Sequence, residues 1–243
     1  MQPEVRRLFF VLSAATLFIL GVIFNPSSYE PDHESDTYTP TSASTVEGAI
    51  LARDLLDQLD IKGKAPRTGY ARAEFGDGWG RLDGCDMRNI ILARDLTNIT
   101  LHEWQPGEPR DRACLVLTGT LNCPYTNTTI DFTRGVNSSA VQIDHVVALS
   151  NAWQTGAQNL TREERIAFSN DPLNLLATDG PANMQKADHD AAGWLPPNRA
   201  FRCHFIARQI SIKHRHNLWV TSAERDTMIR ILDTCPDQPA ITE

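Results

Sequence analysis

Five residues in the middle of the chain have types and spacing suited to hydrolytic chemistry: Asp144, His145, Asn174, Asn183 and Lys186. Asp144 and His145 are neighbours. In a strand they point to opposite faces, whereas at a strand end, where the chain bends, one is able to bind a metal while the other stays free. Asn183 and Lys186 lie three apart, which puts them on one face of a helix. Packing that helix on the strand pair brings Asn183 towards Asp144. A carboxylate and an amide oxygen are hard ligands suited to Mg²⁺, which keeps several waters and takes substrate phosphate oxygens. An unligated His145 is then available as a general base near neutral pH. The plainer alternative is that Asp144 and His145 form a satisfied buried pair.

The elements needed to position these groups are legible around them. Val141–Leu149 is a β-branched run that reads as a strand, and Leu173–Thr178 is a second short apolar run. Pro181 suits the first turn of a helix running to about Ala192. Capping boxes at Ser44–Glu47 and Thr221–Glu224 open helices to about Leu59 and Leu232, and Thr161–Glu164 starts a short helix ending near Asn170. Residues 199–213 are helical in pattern. Two short runs, 116–117 and 129–132, flank a turn-like Cys123-Pro-Tyr-Thr-Asn127 and predict a hairpin. Residues 60–88, rich in Gly and Arg, read as loop.

Taken in order, strand, excursion, strand and helix with Asp144-His145, Asn174, Asn183 and Lys186 resemble the HNH (ββα-metal) nucleases. More closely, the chain resembles the secreted HNH proteins related to the C-terminal domain of GmrSD-type restriction enzymes. The likeness runs from about Tyr70 to Cys235. It includes Phe75-Gly76, Trp79, Asp83-Gly-Cys85, Arg88-Asn89, Arg94-Asp-Leu96, Pro124-Tyr-Thr126 and Arg134-Gly135. It continues through Gln142–Leu149, Asn170–Leu175, Asn183, Lys186, Trp194–Pro197 and Cys203. The resemblance implies an α+β fold with a ββα-metal core, embellished with helices and a hairpin and stapled by disulfides. It makes Asp144 and Asn183 the metal ligands and His145 the base that activates water. Asn174 then braces the loop that orients His145, and Lys186 contacts phosphate or stabilises the site. Asn at the third motif position, in place of His, favours Mg²⁺ or Mn²⁺ over Zn²⁺. The implied substrate is DNA, with RNA as a second class. Cys123 and Asn127 depart from the family pattern, at positions where Asp and Gly are expected.

Composition at first sight opposes a polyanionic substrate. The 243 residues carry 23 Lys+Arg against 30 Asp+Glu, a formal charge of −7. The imbalance is local. Residues 1–24 contribute +1, residues 25–48 contribute −5 through Glu30, Asp32, Glu34, Asp36 and Glu47, and residues 233–243 contribute −3, so 49–232 are neutral. Within that body, 199–216 hold five Lys and Arg and no acid. Arg199, Arg202 and Arg208 from this stretch, with Arg88, are the expected phosphate contacts; a solvated helix face is the alternative.

Arg6-Arg7 followed by seventeen uncharged residues, Leu8–Phe24, has the shape of an export signal or an uncleaved membrane anchor. The expected organisation is a leader over 1–24, an acidic Pro/Ser/Thr-rich spacer over 25–44, a nuclease-like domain over 45–235 and an acidic tail over 236–243. The protein is then secreted or held at the outer face of a membrane through its leader. None of the five cysteines forms a C-x-x-C pair, and export favours disulfides. Cys85 with Cys114 and Cys203 with Cys235 are the candidate bridges. Cys123 is left either free and buried or available for a bond between chains. Asn98, Asn127, Asn137 and Asn159 each begin an N-x-Ser/Thr sequon. Rival readings are a non-catalytic exported interaction module on the same fold and a hydrolase of a non-nucleic phosphodiester.

Overall fold

The computed structural model describes residues 49–242. The expected leader and spacer, with the start of the helix expected from Ser44, lie outside the described residues. Among the described residues no helix is long and apolar enough to cross a membrane.

The chain opens with α1 (Ala52–Leu56), then a loop-rich stretch carrying the two-residue strands β1 (Arg81–Leu82) and β2 (Cys85–Asp86). α2 (Met87–Asp95) is capped by the Asp86 side chain on the Asn89 amide. β3 (Thr97–Leu101), β4 (Val116–Asn122) and β5 (Thr129–Thr133) form an antiparallel sheet in that order. The expected hairpin is its β4–β5 half. A second antiparallel pair joins β6 (Val141–His145) to β7 (Leu175–Asp179), with α3 (Leu149–Gln154) and α4 (Arg162–Asn170) in the excursion between them. α5 (Gly180–Lys186) follows β7 directly, and α6 (Arg202–Arg215) and α7 (Ser222–Leu232) complete the fold. The architecture is α+β. Capping boxes close on α4 at Thr161 and on α7 at Thr221.

Several boundaries differ from the sequence expectation for identifiable reasons. The run 141–149 is a strand only to His145. Beyond it, Val146 donates to the Asn174 carbonyl and Val147 to the Asn174 Oδ1, so one asparagine replaces the strand ladder and turns the chain into α3. α5 stops at Lys186 because Ala187 adopts φ +47°, a conformation that cannot continue a helix. Residues 236–242, most of the expected acidic tail, pack back on the fold. Pro239 bridges Leu51, Ala240 donates to the Ile50 carbonyl, and Ile241 donates to Ser211.

Cysteines 85 and 114 are bridged, as are 203 and 235. Loops of about 30 residues closed in this way stabilise by roughly 3–4 kcal/mol each in the chain-entropy account. Cys123 is free and buried, with its Sγ accepting the Asp179 amide. Its burial removes the expected option of pairing between chains.

α6 is the centre of the core, with Phe205, Ile206, Ala207, Ile210 and Ile212 all buried. Two of its basic residues, Arg208 and Lys213, are drawn into the same interior. Arg208 is buried and donates to the carbonyls of Leu173, Pro172 and Leu175. Lys213 pairs with buried Glu224, and Arg215 and His216 both hold Asp171. Arg208 is therefore internal scaffolding rather than the expected phosphate contact, and Lys213 is buried with it, while Arg199, His214 and Arg215 are exposed. Arg208 has no route to a substrate.

Candidate active site

β6 alternates its side chains. Val141 and Ile143 are buried towards the core, while Gln142 and Asp144 share the other face. α5 covers that second face: Asn183 donates Nδ2 to Gln142 Oε1 at 2.8 Å, and Lys186 donates Nζ to Asp144 Oδ1 at 2.9 Å. The helix starts so close to the 139 loop that a Cβ at Gly180 would collide with the Ser139 carbonyl. Lys186 is fully buried and also donates to the His145 carbonyl at 2.8 Å. The other Asp144 oxygen accepts from the Tyr125 hydroxyl at 2.6 Å. Burial holds the Asp144 carboxyl above the usual carboxylate range, against the opposing pull of Lys186 and Tyr125.

His145 ends the strand and is held from two sides. Its Nε2 lies 2.9 Å from the Ser169 carbonyl, and its ring stacks on Trp79 with centroids 5.9 Å apart and planes 6° from parallel. A carbonyl only accepts, so Nε2 carries the proton and Nδ1 keeps its lone pair. Nδ1 has no protein partner among the described residues. Burial pulls the imidazole pKa down to about 4, the Ser169 hydrogen bond partly resisting, so the ring is neutral at physiological pH. Asn174, fully buried, fixes the next two residues: its carbonyl and Oδ1 take the Val146 and Val147 amides, and its Nδ2 donates to the Val147 carbonyl at 3.3 Å.

Asp144, His145, Gln142 and Asn183 open on one cavity of about 610 Å³, whose opposite side carries Arg67, Tyr70, Arg72, Trp79 and Arg88. Irregular backbone positions that wall. Lys64 pairs with Asp190 at 2.9 Å, Ala65 donates to the Gln154 carbonyl, and Phe75 is buried against Tyr70, Trp153 and Phe168. Arg67 lies over the Tyr70 ring and 3.6 Å from Asp188, which also accepts from Ser150. Arg88 is anchored on the carbonyls of Ser138 and Val141. Arg67, Arg72 and Arg88 outnumber Asp144 and Asp188 in the lining, so the cavity is cationic although the domain is neutral.

The structure thus gathers Asp144, His145, Asn183 and Arg88 at the cavity, with Asn174 and Lys186 buried behind it. Arg199 is exposed at a helix start and Arg202 donates to the Pro196 carbonyl. Neither these two nor Arg208 lines the cavity. The sequence reading missed Arg67 and Arg72, and gave Tyr70, Trp79, Tyr125 and Gln142, all within the family likeness, no role of their own. An acid-free Arg67–Arg72 segment with a central tyrosine was the one available signal.

The donor set can be tested against the expected ion. Each Asp144 oxygen already accepts one hydrogen bond and retains a second lone pair. Asn183 Oδ1 has no protein donor among the described residues. No three His, Cys, Asp or Glu side chains converge among them either. An oxygen-only, ligand-poor set fits a hard ion that keeps its waters and does not fit Zn²⁺, which prefers nitrogen and sulfur.

Residues 86–231, well over half the chain, match the family described as GmrSD restriction endonucleases, C-terminal domain. The chain belongs to this family. A protein of Arthroderma benhamiae named "Uncharacterized secreted protein" is 34% identical over 203 residues, covering 81% of this chain and 92% of that protein. No solved structure matches. The family match takes in both β6–β7–α5 and Arg88, while Arg67, Tyr70, Arg72 and Trp79 precede its first residue. Membership in a restriction-endonuclease family gives the chain a nuclease-related role.

Proposed function

We propose that this chain is an exported HNH-type endonuclease that hydrolyses phosphodiester bonds of DNA with little sequence preference. The observation that carries the reading is His145. It is a neutral imidazole with its proton committed to the Ser169 carbonyl and Nδ1 without a partner among the described residues, beside a carboxylate in a cationic cavity. In this reading His145 Nδ1 takes the proton of the attacking water. Asp144 and Asn183 hold Mg²⁺, or Mn²⁺ in its place. When bound, the ion would supply Lewis-acid neutralisation of the charge that develops on the phosphate. Arg88, Arg67 and Arg72 grip flanking phosphates. Asn174 and Lys186 are positioning residues, the first for the His145 turn and the second for the Asp144 carboxylate. The products are 5′-phosphate and 3′-hydroxyl ends. Export rests on the leader-like 1–24 and the secreted name of the relative.

One observation favours a second reading, a non-catalytic module on the same fold: both Asp144 oxygens are already engaged, as in a purely structural ion pair. Incubating purified protein with plasmid DNA, RNA and a phosphodiester wall polymer, each with MgCl₂ or EDTA, separates the readings. The nuclease reading expects EDTA-sensitive conversion of supercoiled DNA to nicked circles. Cleavage of the wall polymer alone, or of nothing, refutes it.

A further inference from the structure

The four sequons noted above are not equivalent once folded. Asn98 is exposed on β3, the edge strand of its sheet, at φ +51° where the β3–β4 register shifts. Asn127 is exposed in the β4–β5 turn at φ +59°, and Asn159 is exposed in the turn before α4. None of the three side-chain amides has a protein hydrogen-bond partner among the described residues, and none lines the catalytic cavity. Asn137 is built differently. Its Oδ1 accepts the Thr133 amide at 2.7 Å and its Nδ2 donates to the Asp131 carbonyl at 2.8 Å, so the acceptor nitrogen is folded back on β5. The next residue, Ser138, presents the carbonyl that anchors cavity-lining Arg88. A glycan on Asn137 has to displace the Asp131 bond or lie against that strand, and either course disturbs the cavity wall.

We propose that Asn98, Asn127 and Asn159 are N-glycosylation sites and that Asn137 stays bare in folded protein. The proposal rests on the export reading, because the donor, a polyprenyl-pyrophosphate-linked oligosaccharide, is met in the lumen of a secretory pathway. In the transfer, the asparagine Nδ2 forms a bond to the sugar C1 and loses one proton. The C1–O bond to phosphate breaks, and the lipid pyrophosphate leaves with the electron pair. At Asn98 the glycan also covers an open strand edge, beside exposed Leu101, that otherwise offers unpaired backbone to another chain.

The test expresses the full chain in yeast, once with its own N-terminal segment and once with that segment replaced by the host's secretion signal. Secreted protein is mapped by peptide mass spectrometry after release with a peptide N-glycosidase in heavy-oxygen water, which hydrolyses each glycosylated asparagine amide to a labelled aspartate. The proposal expects label at Asn98, Asn127 and Asn159 and none at Asn137. Asn98→Gln, Asn127→Gln and Asn159→Gln each remove one mobility step, while Asn137→Gln leaves the ladder unchanged. Label at Asn137, or its absence at any of the other three in protein carried by the host signal, overturns the proposal. Retention of the chain only when it carries its own N-terminal segment overturns the export reading and leaves the site assignment to be decided by the host-signal arm.

Discussion

Lys186 offers the sharpest quantitative test of how the site is held together. Its ammonium is fully buried and bridges two acceptors, Asp144 Oδ1 at 2.9 Å and the His145 carbonyl at 2.8 Å. Lys186→Met keeps the length and most of the volume of the side chain, so cavity terms are small. What remains is a buried carboxylate held by Tyr125 alone. Breaking a buried ion pair on one side costs about 3–5 kcal/mol. A domain of this size loses roughly 2–4 °C per kcal/mol, so the melting temperature falls by about 6–20 °C. Adding Asp144→Asn removes the stranded charge while leaving an acceptor for the Tyr125 hydroxyl, so the double variant recovers much of the loss. Urea unfolding of the wild type, both single variants and the double variant measures the coupling directly. A loss below about 1 kcal/mol, or additive single effects, refutes the picture of Lys186 as the counter-charge of Asp144.

Other predictions follow from separate parts of the fold. Arg67→Gln with Arg72→Gln, both exposed, leaves stability unchanged but weakens substrate binding, and lowers the slope of log affinity against log salt by about 2 if each arginine contacts one phosphate; an unchanged slope removes them from the interface. Burial raises the Asp171 carboxyl, but the stronger combined pull of His216, the Leu173 amide and Arg215 holds it below the usual carboxylate range. A depressed folded-state pKa stabilises above the unfolded value and is lost as pH falls through the folded one, so Asp171→Asn flattens the acid limb of the stability profile below about pH 4. Removing the second bridge by Cys203→Ser with Cys235→Ser costs about 3–4 kcal/mol in denaturant titration. A loss of less than 1 kcal/mol assigns the bridge a marginal role.

How much of this was readable beforehand depends on how local the determining interaction is. The capping box at Thr221 and the helix start at Thr161–Glu164 were legible because residue types at short spacing specify them, whereas no spacing fixes the two cysteine pairs, which the sequence offers only as candidates. The spacing of Asn183 and Lys186 likewise put both on the face of α5 that meets Gln142 and Asp144. The basic stretch 199–216 misled because its helix is central. A guanidinium such as that of Arg208 is as useful to orphan carbonyls inside the protein as to phosphates outside it. The cationic wall was hidden for the opposite reason. Arg67, Tyr70, Arg72 and Trp79 sit outside any α-helix or strand, and their segment is brought to the cavity by contacts with His145, Trp153, Gln154, Asp188 and Asp190, about 65 to 125 residues away. Nor does anything near Tyr125 in the sequence announce that its hydroxyl closes on Asp144. The charge of −7 is a poor guide to the charge of the cavity, which gathers cations from a neutral domain.

The central claim is that His145 Nδ1 accepts the proton of the attacking water. It is tested most directly by nicking of supercoiled plasmid with MgCl₂, comparing the wild type with a His145→Ala variant whose melting temperature shows that it is folded. The account predicts loss of at least about 100-fold in rate, the usual contribution of a positioned general base, with plasmid binding retained. Equal nicking by both proteins contradicts it.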